Sequence, residues 1–468
     1  MIRTSSPAST EAAQSTRFDR RLIAPMVLGS MLNPINSSII TVSLIPIGRA
    51  FDASPARTAW LVSALYVATA IGQPVVGRLV DVLGPRRLYL AGAVLVGVAG
   101  IIGLVAQDLG TLVAARVVLG VGTCAGYPSA MYLIRAEGRR TGQESPSGVL
   151  TVLAVSAQTI AVVGPTLGGL LIGVAGWRAT FAVNIPIAIA CLWLGARRLP
   201  EHDALEETRE RGRFDLLGTL LFGVALVATM LFLMERRVDL WPLLVVAAGC
   251  LALFAYVELR HADPFVDLRL LRATPPLVAT YARNMLSATV TYSFIYGFTQ
   301  WLQESRDLSP AAAGLMSVPM FATAIAVSAL TGRNPRIRAK LLVGSAVQLG
   351  VCAGLLLVGG ATPLWALALL TLALGVPQGL VSLANQNAVY HQAPAARIAS
   401  SAGLLRTSMY VGAVLAAAAT GTFLHAGATT SGLHGLAGCA VVAAALALVL
   451  ALADRSLGRV GTPTRQES

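Results

Sequence analysis

The chain has 468 residues, of which 55% are hydrophobic and only 12% charged, and its mean hydropathy is +0.71. Soluble globular domains carry about 25% charged residues, so this composition excludes a soluble protein and predicts a polytopic membrane protein. The formal net charge is +13. Basic loops facing anionic lipid account for that charge, so no nucleic-acid partner is expected.

The apolar segments are long enough to cross about 30 Å of hydrocarbon, and they predict an all-α fold. Fourteen predicted spans follow one another along the chain. In chain order they cover residues 22–48, 57–80, 88–106, 109–134, 148–175, 178–196, 214–234, 240–258, 276–302, 311–331, 341–359, 362–387, 398–425 and 432–452.

The basic residues are distributed unequally between the two sides of these spans. Most of the 35 Lys and Arg residues fall before the first span, after the last, or in every second loop, while Arg116, Arg283 and Arg406 lie within spans. Because Lys and Arg beside short loops are retained on the cytoplasmic side, both termini are predicted to be cytoplasmic in a bacterial inner membrane. No apolar stretch with a small-residue cleavage site precedes the first span, so no cleaved signal is expected.

A densely charged segment, 197–213, separates the first six spans from the rest and has the composition of a solvated linker. If the last six spans form a second bundle, the fold is two six-helix bundles plus two inserted transmembrane helices. The predicted organisation is a disordered cytoplasmic tail (1–21), an N-terminal bundle (22–196), the linker (197–213), an inserted hairpin (214–258), an interfacial segment (259–275), a C-terminal bundle (276–452) and a cytoplasmic tail (453–468).

The five cysteines lie in separate spans, without the pair spacing of a metal site or a redox couple. No nucleophile and base pair, metal-ligand cluster or phosphate loop stands out in the sequence. We therefore expect no metal, no cofactor and no enzymatic activity.

A short charged loop joins the second and third spans, with the sequence Gly77-Arg78-Leu-Val-Asp81-Val-Leu-Gly84-Pro-Arg86-Arg87. Its glycines, aspartate and paired basic residues resemble the signature loop of the major facilitator superfamily. The resemblance implies that Asp81 and the arginines hold two bundles together on the cytoplasmic side. The plainer alternative is a basic loop that only orients the chain in the membrane.

The fourth span contains Arg116-Val-Val-Leu-Gly120, which is similar to the buried arginine and glycines of the same superfamily. An arginine at this depth costs at least ~2.5 kcal/mol unless it faces water or a partner. The superfamily usually has a glutamine at the position of Leu119. A proton-relay role and a purely structural role for Arg116 are both open.

The fifth span contains Gly164-Pro165-Thr-Leu-Gly168-Gly169, which looks like the antiporter motif of the exporters in the superfamily. Proline removes a helix hydrogen bond and bends the span, and glycines four residues apart let another helix pack closely. The resemblance implies export rather than uptake, and a generic kinked packing face is the alternative.

The arrangement of six, two and six spans resembles the fourteen-span drug:proton antiporter family, as do the stretches 177–186, 384–387 and 403–410. That family commonly has an aspartate at the position of Asn36. Because no Asp or Glu lies in the middle of any predicted span, the membrane interior of this chain is net positive. The protein is expected to act as a monomer.

Polar residues within the spans are candidates for lining a substrate cavity. Arg283 and Arg406 lie roughly 10–12 Å from the cytoplasmic ends of their spans, which is too deep for their charged groups to reach the membrane surface easily. For any Asn or Gln, tying helices together is the alternative to binding a solute. The candidates are Asn33, Asn36, Gln158, Arg283, Asn284, Gln300, Asn385, Arg406 and Tyr410.

These features predict a secondary active transporter that works by alternating access. The favoured function is export of small, largely apolar, neutral or anionic compounds such as drugs or metabolites, with protons as the coupling ion. The alternative is an uptake or facilitative permease of the same superfamily, favoured by the missing cavity carboxylates and opposed by the motif at 164–169. A membrane sensor or scaffold gains no support, because the chain has no sizeable soluble domain.

Overall fold

The computed structural model describes residues 18–53, 55–142, 147–201, 215–235, 238–261, 264, 266–424 and 427–458. The predicted N-terminal tail up to residue 17, residues 202–214 of the charged linker region and the tail from residue 459 lie outside this part of the chain. The first helices are α1 (Ile23–Ala50), α2 (Pro55–Leu83), α3 (Pro85–Val105), α4 (Leu109–Thr123), α5 (Gly126–Thr141), α6 (Ser147–Ala175), α7 (Ala179–Ala182) and α8 (Asn184–Arg198).

The remaining helices begin after the linker, and a short helix stands where the interfacial segment is predicted. They are α9 (Leu216–Glu235), α10 (Pro242–Arg260), α11 (Leu268–Ala273), α12 (Pro275–Ser293), α13 (Thr299–Glu304), α14 (Pro310–Leu315), α15 (Val318–Thr331), α16 (Ile337–Leu355), α17 (Leu364–Gln392), α18 (Ile398–Leu424) and α19 (Thr430–Ala453). A π-helical turn, Phe294–Phe298, joins α12 to α13.

In the described part of the chain, twelve helical segments are long and apolar enough to cross a membrane. Two predicted spans are not among them. The apolar stretch of α9, Leu216–Phe232, is shorter, and α12 carries the polar residues Arg283 and Asn284. The protein is therefore an all-helical, multi-pass membrane protein, and the count of fourteen spans stays a prediction.

Local sequence explains where several helices begin. Asp108 caps α4, because its carboxylate accepts a hydrogen bond from the backbone N–H of Thr111 at 2.9 Å. Gly84 ends the second span with φ of 90°, a left-handed conformation that favours glycine, and Pro85 then opens α3. The chain can thus turn sharply between two long antiparallel helices.

The helices pack into two groups, with one pair between them. In the first bundle α1 packs on α6, and α3 packs on α4 and α8; in the second, α12 packs on α18, and α17 packs on α15 and α16. The two bundles meet through α2 against α18 and through α6 against α15. Helices α9 and α10 pack on each other, and α9 also contacts α2 and α18.

The largest hydrophobic core of the described residues joins the two bundles at one end, and a smaller cluster of Ala70, Met230 and Tyr410 joins them further along α2 and α18. At the end where the arginine-rich loops lie, one cluster contains Tyr132 and Leu150 of the first bundle together with Leu383, Tyr390 and Ile398 of the second. At the opposite end, the clusters of the described residues are separate. One belongs to the first bundle (Ile47, Leu61, Leu112, Trp177) and another to the second (Trp301, Leu355, Leu367, Leu433). The bundles are therefore closed against each other on the arginine-rich side.

Candidate functional site

Asp81 joins the two bundles at the arginine-rich end. Its carboxylate is fully buried and accepts hydrogen bonds from the backbone N–H groups of Ala399 at 3.0 Å and Ser400 at 2.8 Å. Both amides belong to the first turn of α18, where backbone donors have no helical partner and the helix dipole favours a negative charge. Asp81 of the first bundle thus caps a helix of the second.

The backbones of α2 and α18 approach each other closely beside this cap. A Cβ added at Gly77 would lie 2.6 Å from the carbonyl oxygen of Ala399, and one added at Gly403 would overlap the carbonyl of Gln73. One turn further along α18, the hydroxyl of Thr407 donates to the carbonyl of Ala70 at 2.9 Å. We call this contact between Asp81, the two glycines and the start of α18 the gate.

The other residues of the charged loop have different positions. Arg78 is buried beside Asp81. Arg86 stays within the first bundle, where it donates to the carbonyl of Ala196 at 3.0 Å and pairs with Glu201, while Arg87 is exposed. The described contacts thus place Asp81, and not the paired arginines at 86 and 87, between the bundles.

Arg135, which the sequence did not single out, makes a second contact between the bundles. Its guanidinium donates to the backbone carbonyl of Tyr390 at 3.0 Å and lies 4.9 Å from the centre of the Tyr390 ring. Gln158 of α6 makes a third contact through the hydroxyl of Ser328 on α15, at 3.3 Å. No sequence pattern marks Arg135, because its partner lies far along the chain.

Arg116 is buried within the first bundle and braces two of its helices. Its Nε donates to the carbonyl of Leu61 at 2.8 Å and one terminal nitrogen to the carbonyl of Asn36 at 3.3 Å. The side chain of Asn36 in turn donates to Asn184 at 2.7 Å. A Cβ at Gly120 would lie 2.8 Å from that of Ala68 on α2. These contacts give Arg116 and Asn36 the geometry of helix-to-helix ties.

The glycines of the 164–169 stretch pack α6 against α1. A Cβ at Gly164 would overlap the side chain of Ser38, and one at Gly168 would lie 3.1 Å from the carbonyl of Ile39. An added Cβ at Gly169 meets nothing within 4 Å. Pro165 lies half-buried within the continuous helix α6. The close packing seen here is within the first bundle.

Polar and aromatic side chains of both bundles meet around Asn33 of α1, and we call this cluster the chamber. The Asn33 carboxamide accepts a hydrogen bond from the hydroxyl of Tyr410 at 2.7 Å and donates to Thr69 and Thr123. The ring of Tyr410 lies 5.8 Å from that of Tyr66, measured between centroids. Residues from both bundles therefore meet at this point.

Four tyrosines that sequence reasoning missed complete the chamber: Tyr66, Tyr127, Tyr292 and Tyr296. Tyr292 and Tyr296 are one turn apart with ring centroids separated by 5.5 Å, and the hydroxyl of Tyr66 lies beside that of Tyr296. The guanidinium of Arg406 stacks over the ring of Tyr127 at 4.1 Å. The spacing of four residues between Tyr292 and Tyr296 was the available signal, since it places both on one helix face.

Arg283 has a different environment from Arg406, although the sequence grouped the two as cavity arginines. Its side chain is fully buried, donates to Asn385 at 3.0 Å and to Thr280 at 2.9 Å, and lies 3.5 Å from the carboxylate of Asp454. Asn284 ties α12 to α18 by donating to the carbonyl of Leu405 at 2.9 Å. The structure thus neutralises Arg283 with an acid just beyond the last span.

At the end opposite the gate, the Gln300 amide donates to the carboxylate of Glu304 at 2.8 Å, and both residues are accessible. This hydrogen bond and one from the backbone N–H of Ala428 hold the pKa of Glu304 below its usual range. Gln300 therefore lies at the mouth of the second bundle and away from the tyrosines.

We expect Arg283→Gln to destabilise the protein by about 3 to 5 kcal/mol, because it leaves the Asp454 carboxylate buried without its cation. Thermal unfolding in detergent measures this loss. The double variant with Asp454→Asn is expected to recover part of the stability, since neither charge is then unpaired. An unchanged melting temperature in Arg283→Gln would show that the pair contributes nothing to the fold.

The family model described as Major Facilitator Superfamily matches residues 26–417. The chain belongs to the major facilitator superfamily. Proteins of this superfamily with similar sequences are transporters, so the chain is a membrane transporter and not an enzyme.

Relatives within the superfamily match most of the chain. The Bacillus subtilis protein called uncharacterized MFS-type transporter YwoD is 32% identical over 84% of this chain and 87% of its own length. The lincomycin resistance protein of Streptomyces lincolnensis is 31% identical over 98% of this chain and 96% of its own length. The crystal structure of the human organic anion transporter MFSD10 has a TM-score of 0.65 at 16% identity, covering 92% of this chain and 98% of that one. That structural likeness concerns the fold alone.

Proposed function

We propose that this transporter exports small, largely apolar, neutral or anionic compounds, such as drugs or metabolites, from a bacterial cytoplasm by alternating access, with protons as the coupling ion. We place the arginine-rich side and both termini in the cytoplasm, because basic residues near short loops are retained there. The protein then lies in the inner membrane as a monomer of the fourteen-span drug:proton antiporter type, with the domain bounds that the sequence predicts.

One observation supports alternating access most strongly: the largest core joins the bundles on the arginine-rich side, the cores at the opposite end are separate, and polar side chains of both bundles meet between these ends. Such an arrangement corresponds to a state closed on the arginine-rich side. Opening of the gate around Asp81, with closure at the opposite end, would expose the chamber to the cytoplasm.

The direction of transport is supported by the relatives. Proteins named for lincomycin resistance, multidrug resistance and tetracenomycin C resistance and export match most of the chain. The proposed preference for neutral or anionic substrates is supported by Arg406 in the chamber. No Asp or Glu of the described residues pairs with this arginine. The chamber therefore disfavours cations.

The second candidate function is an uptake or facilitative permease. Its support is the composition of the chamber, which among the described residues is built from tyrosines, Asn33 and Arg406 and offers no carboxylate to carry a proton. A facilitator needs no titrating group, whereas a proton-coupled exporter needs one whose proton affinity differs between its two states.

Transport into inside-out membrane vesicles separates the two functions. We use 1-naphthoate and 1-naphthamide, which share a ring system and differ in charge, with the vesicle lumen made acidic by respiration. The proposed exporter accumulates at least one of them above the external concentration, and an ionophore that collapses the pH gradient abolishes the accumulation. Equilibration without accumulation, unaffected by the ionophore, would identify a facilitator instead.

A further inference from the structure

The arginines within the predicted spans have unequal surroundings. Arg116 donates to two backbone carbonyls, and Arg283 is bound by Asn385 and Thr280 beside the Asp454 carboxylate. Arg406, in contrast, stacks on the ring of Tyr127 and, among the described residues, makes no hydrogen bond and no ion pair. Its guanidinium has five N–H donors in a planar fork that suits a carboxylate.

The stacking of Arg406 on Tyr127 orients that fork. The guanidinium carbon lies 4.1 Å from the ring centre, so one face of the group is covered by the tyrosine while its edge stays available. Arg406 is half-buried, so water still reaches it, whereas Tyr127 is almost fully buried. Tyr127 thus acts as a positioning residue for the arginine.

The side chains nearest Arg406 are aromatic. Tyr292 and Tyr410 both lie close enough to Arg406 for its charge to act on their hydroxyls. The centroids of Tyr410 and Tyr66 are 5.8 Å apart. Aromatic rings bind other planar rings by offset stacking or edge-to-face contact. A planar ring bearing an acidic group therefore fits this environment better than an aliphatic one.

The same helix carries the anion site and the gate. Arg406 follows Ser400, whose N–H binds Asp81, by six residues on α18, which is about 9 Å along a helix axis. Tyr127 belongs to the first bundle and Arg406 to the second. A ligand that holds Arg406 therefore contacts a helix that must move when the gate opens.

We propose that Arg406, oriented by Tyr127, is the specificity-determining residue of the chamber and that it selects planar aromatic anions, with the acidic group on the guanidinium and the ring against the tyrosines. This inference names the substrate class of the transporter proposed above and rests on that function for its physiological meaning. Binding is measured without transport, so the anion site and the proposed export can fail separately.

The test measures equilibrium binding to the purified full-length protein in lipid nanodiscs. The probes are 1-naphthoate, 1-naphthamide and 1-naphthylmethylammonium, which carry negative, zero and positive charge on one ring system. We expect the unmodified protein to bind naphthoate at least tenfold more tightly than the ammonium compound, with the amide between them. Equal affinity for all three, or tighter binding of the cation, would overturn the proposal.

Variants of Arg406 test whether this residue causes the preference for the anionic probe. Arg406→Gln is expected to weaken naphthoate binding roughly tenfold or more while naphthamide binding changes little, and Arg406→Lys is expected to restore part of the preference because it keeps the charge. A matched control is Arg197→Gln, which removes an arginine stacked at 4.9 Å on the exposed ring of Trp193 and leaves the chamber intact. Equal losses for naphthoate and naphthamide in Arg406→Gln would show a structural role and contradict the inference.

Transport into vesicles distinguishes failure of the proposed export from failure of the proposed anion site. If naphthoate binds with the expected charge preference but neither naphthoate nor naphthamide accumulates in inside-out vesicles, the proposed direction is wrong and the anion site is supported. If vesicles with the unmodified protein accumulate all three probes to the same excess over vesicles that lack the protein, export is supported and the anion site is rejected.

Discussion

We expect Asp81→Asn to raise the ratio of open to closed molecules on the arginine-rich side 5- to 150-fold over the unmodified chain. This change corresponds to about 1 to 3 kcal/mol. The Asp81 carboxylate accepts two backbone N–H groups at the start of α18. Asparagine offers a single oxygen and no charge, and its amide hydrogens face donors that need an acceptor. These contacts exist only while the bundles are closed, so their loss shifts the equilibrium toward the open state.

Alkylation of an introduced cysteine measures this shift. Ala402 is fully buried in the core that the two bundles share, so Ala402→Cys should react with a maleimide only when the gate opens. The exposed Cys439 and the half-buried Cys250 are first replaced by serine. We expect Asp81→Asn to speed the reaction in proportion to the open population while transport falls.

Asp108→Asn is a matched control for this experiment. Asp108 also caps a helix, and hydrogen bonds from the hydroxyl and N–H of Thr111 hold the pKa of Asp108 below its usual range. Its contacts stay within the first bundle, so the alkylation rate is expected to remain unchanged. A normal alkylation rate and normal transport in well-folded Asp81→Asn would contradict a gating role for Asp81.

Gly403→Val is expected to reduce transport roughly tenfold or more, because the new side chain overlaps the backbone of Gln73 and Pro74 in the closed state. Backbone atoms cannot move aside as a flexible side chain can. Helix α18 would therefore be held away from α2, and the transporter would be confined to states in which the arginine-rich side is open. Transport assays on protein matched for expression give the measurement.

The control for this variant is Gly438→Val in α19. The change is the same and also lies within a long helix, but an added Cβ at Gly438 meets nothing within 4 Å. Transport is expected to be near normal. If Gly403→Val transports as well as Gly438→Val, the close contact between α2 and α18 is not part of the transport cycle.

Composition and apolar runs were sufficient to predict an all-helical membrane protein, and the charged loop at 77–87 pointed to the superfamily that the family model matches. These features are local, since a span needs only a run of apolar residues and a loop motif occupies consecutive positions. The role of Asp81 as a contact between bundles also came from that motif, and the structure gives it two backbone amides as partners.

What the sequence could not indicate are contacts between distant positions. Asp454 follows the last span and neutralises Arg283, which lies far earlier in the chain, and no spacing rule connects them. The same holds for the stacking of Arg406 on Tyr127, which brings two bundles together. Grouping Arg283 with Arg406 followed from their similar depth in the membrane, and depth does not report which face of a helix a residue occupies.

Alternating access requires that the two bundles open at one end when they close at the other. Spin labels can measure both ends in one protein, with one pair at Arg139 and Asn334 on the arginine-rich side and another at Gln107 and Ala361 on the opposite side, all exposed positions. We expect reciprocal changes: when Asp81→Asn lengthens the first distance, the second becomes shorter. Distances that stay fixed in both pairs, or that lengthen together, would contradict alternating access in this protein.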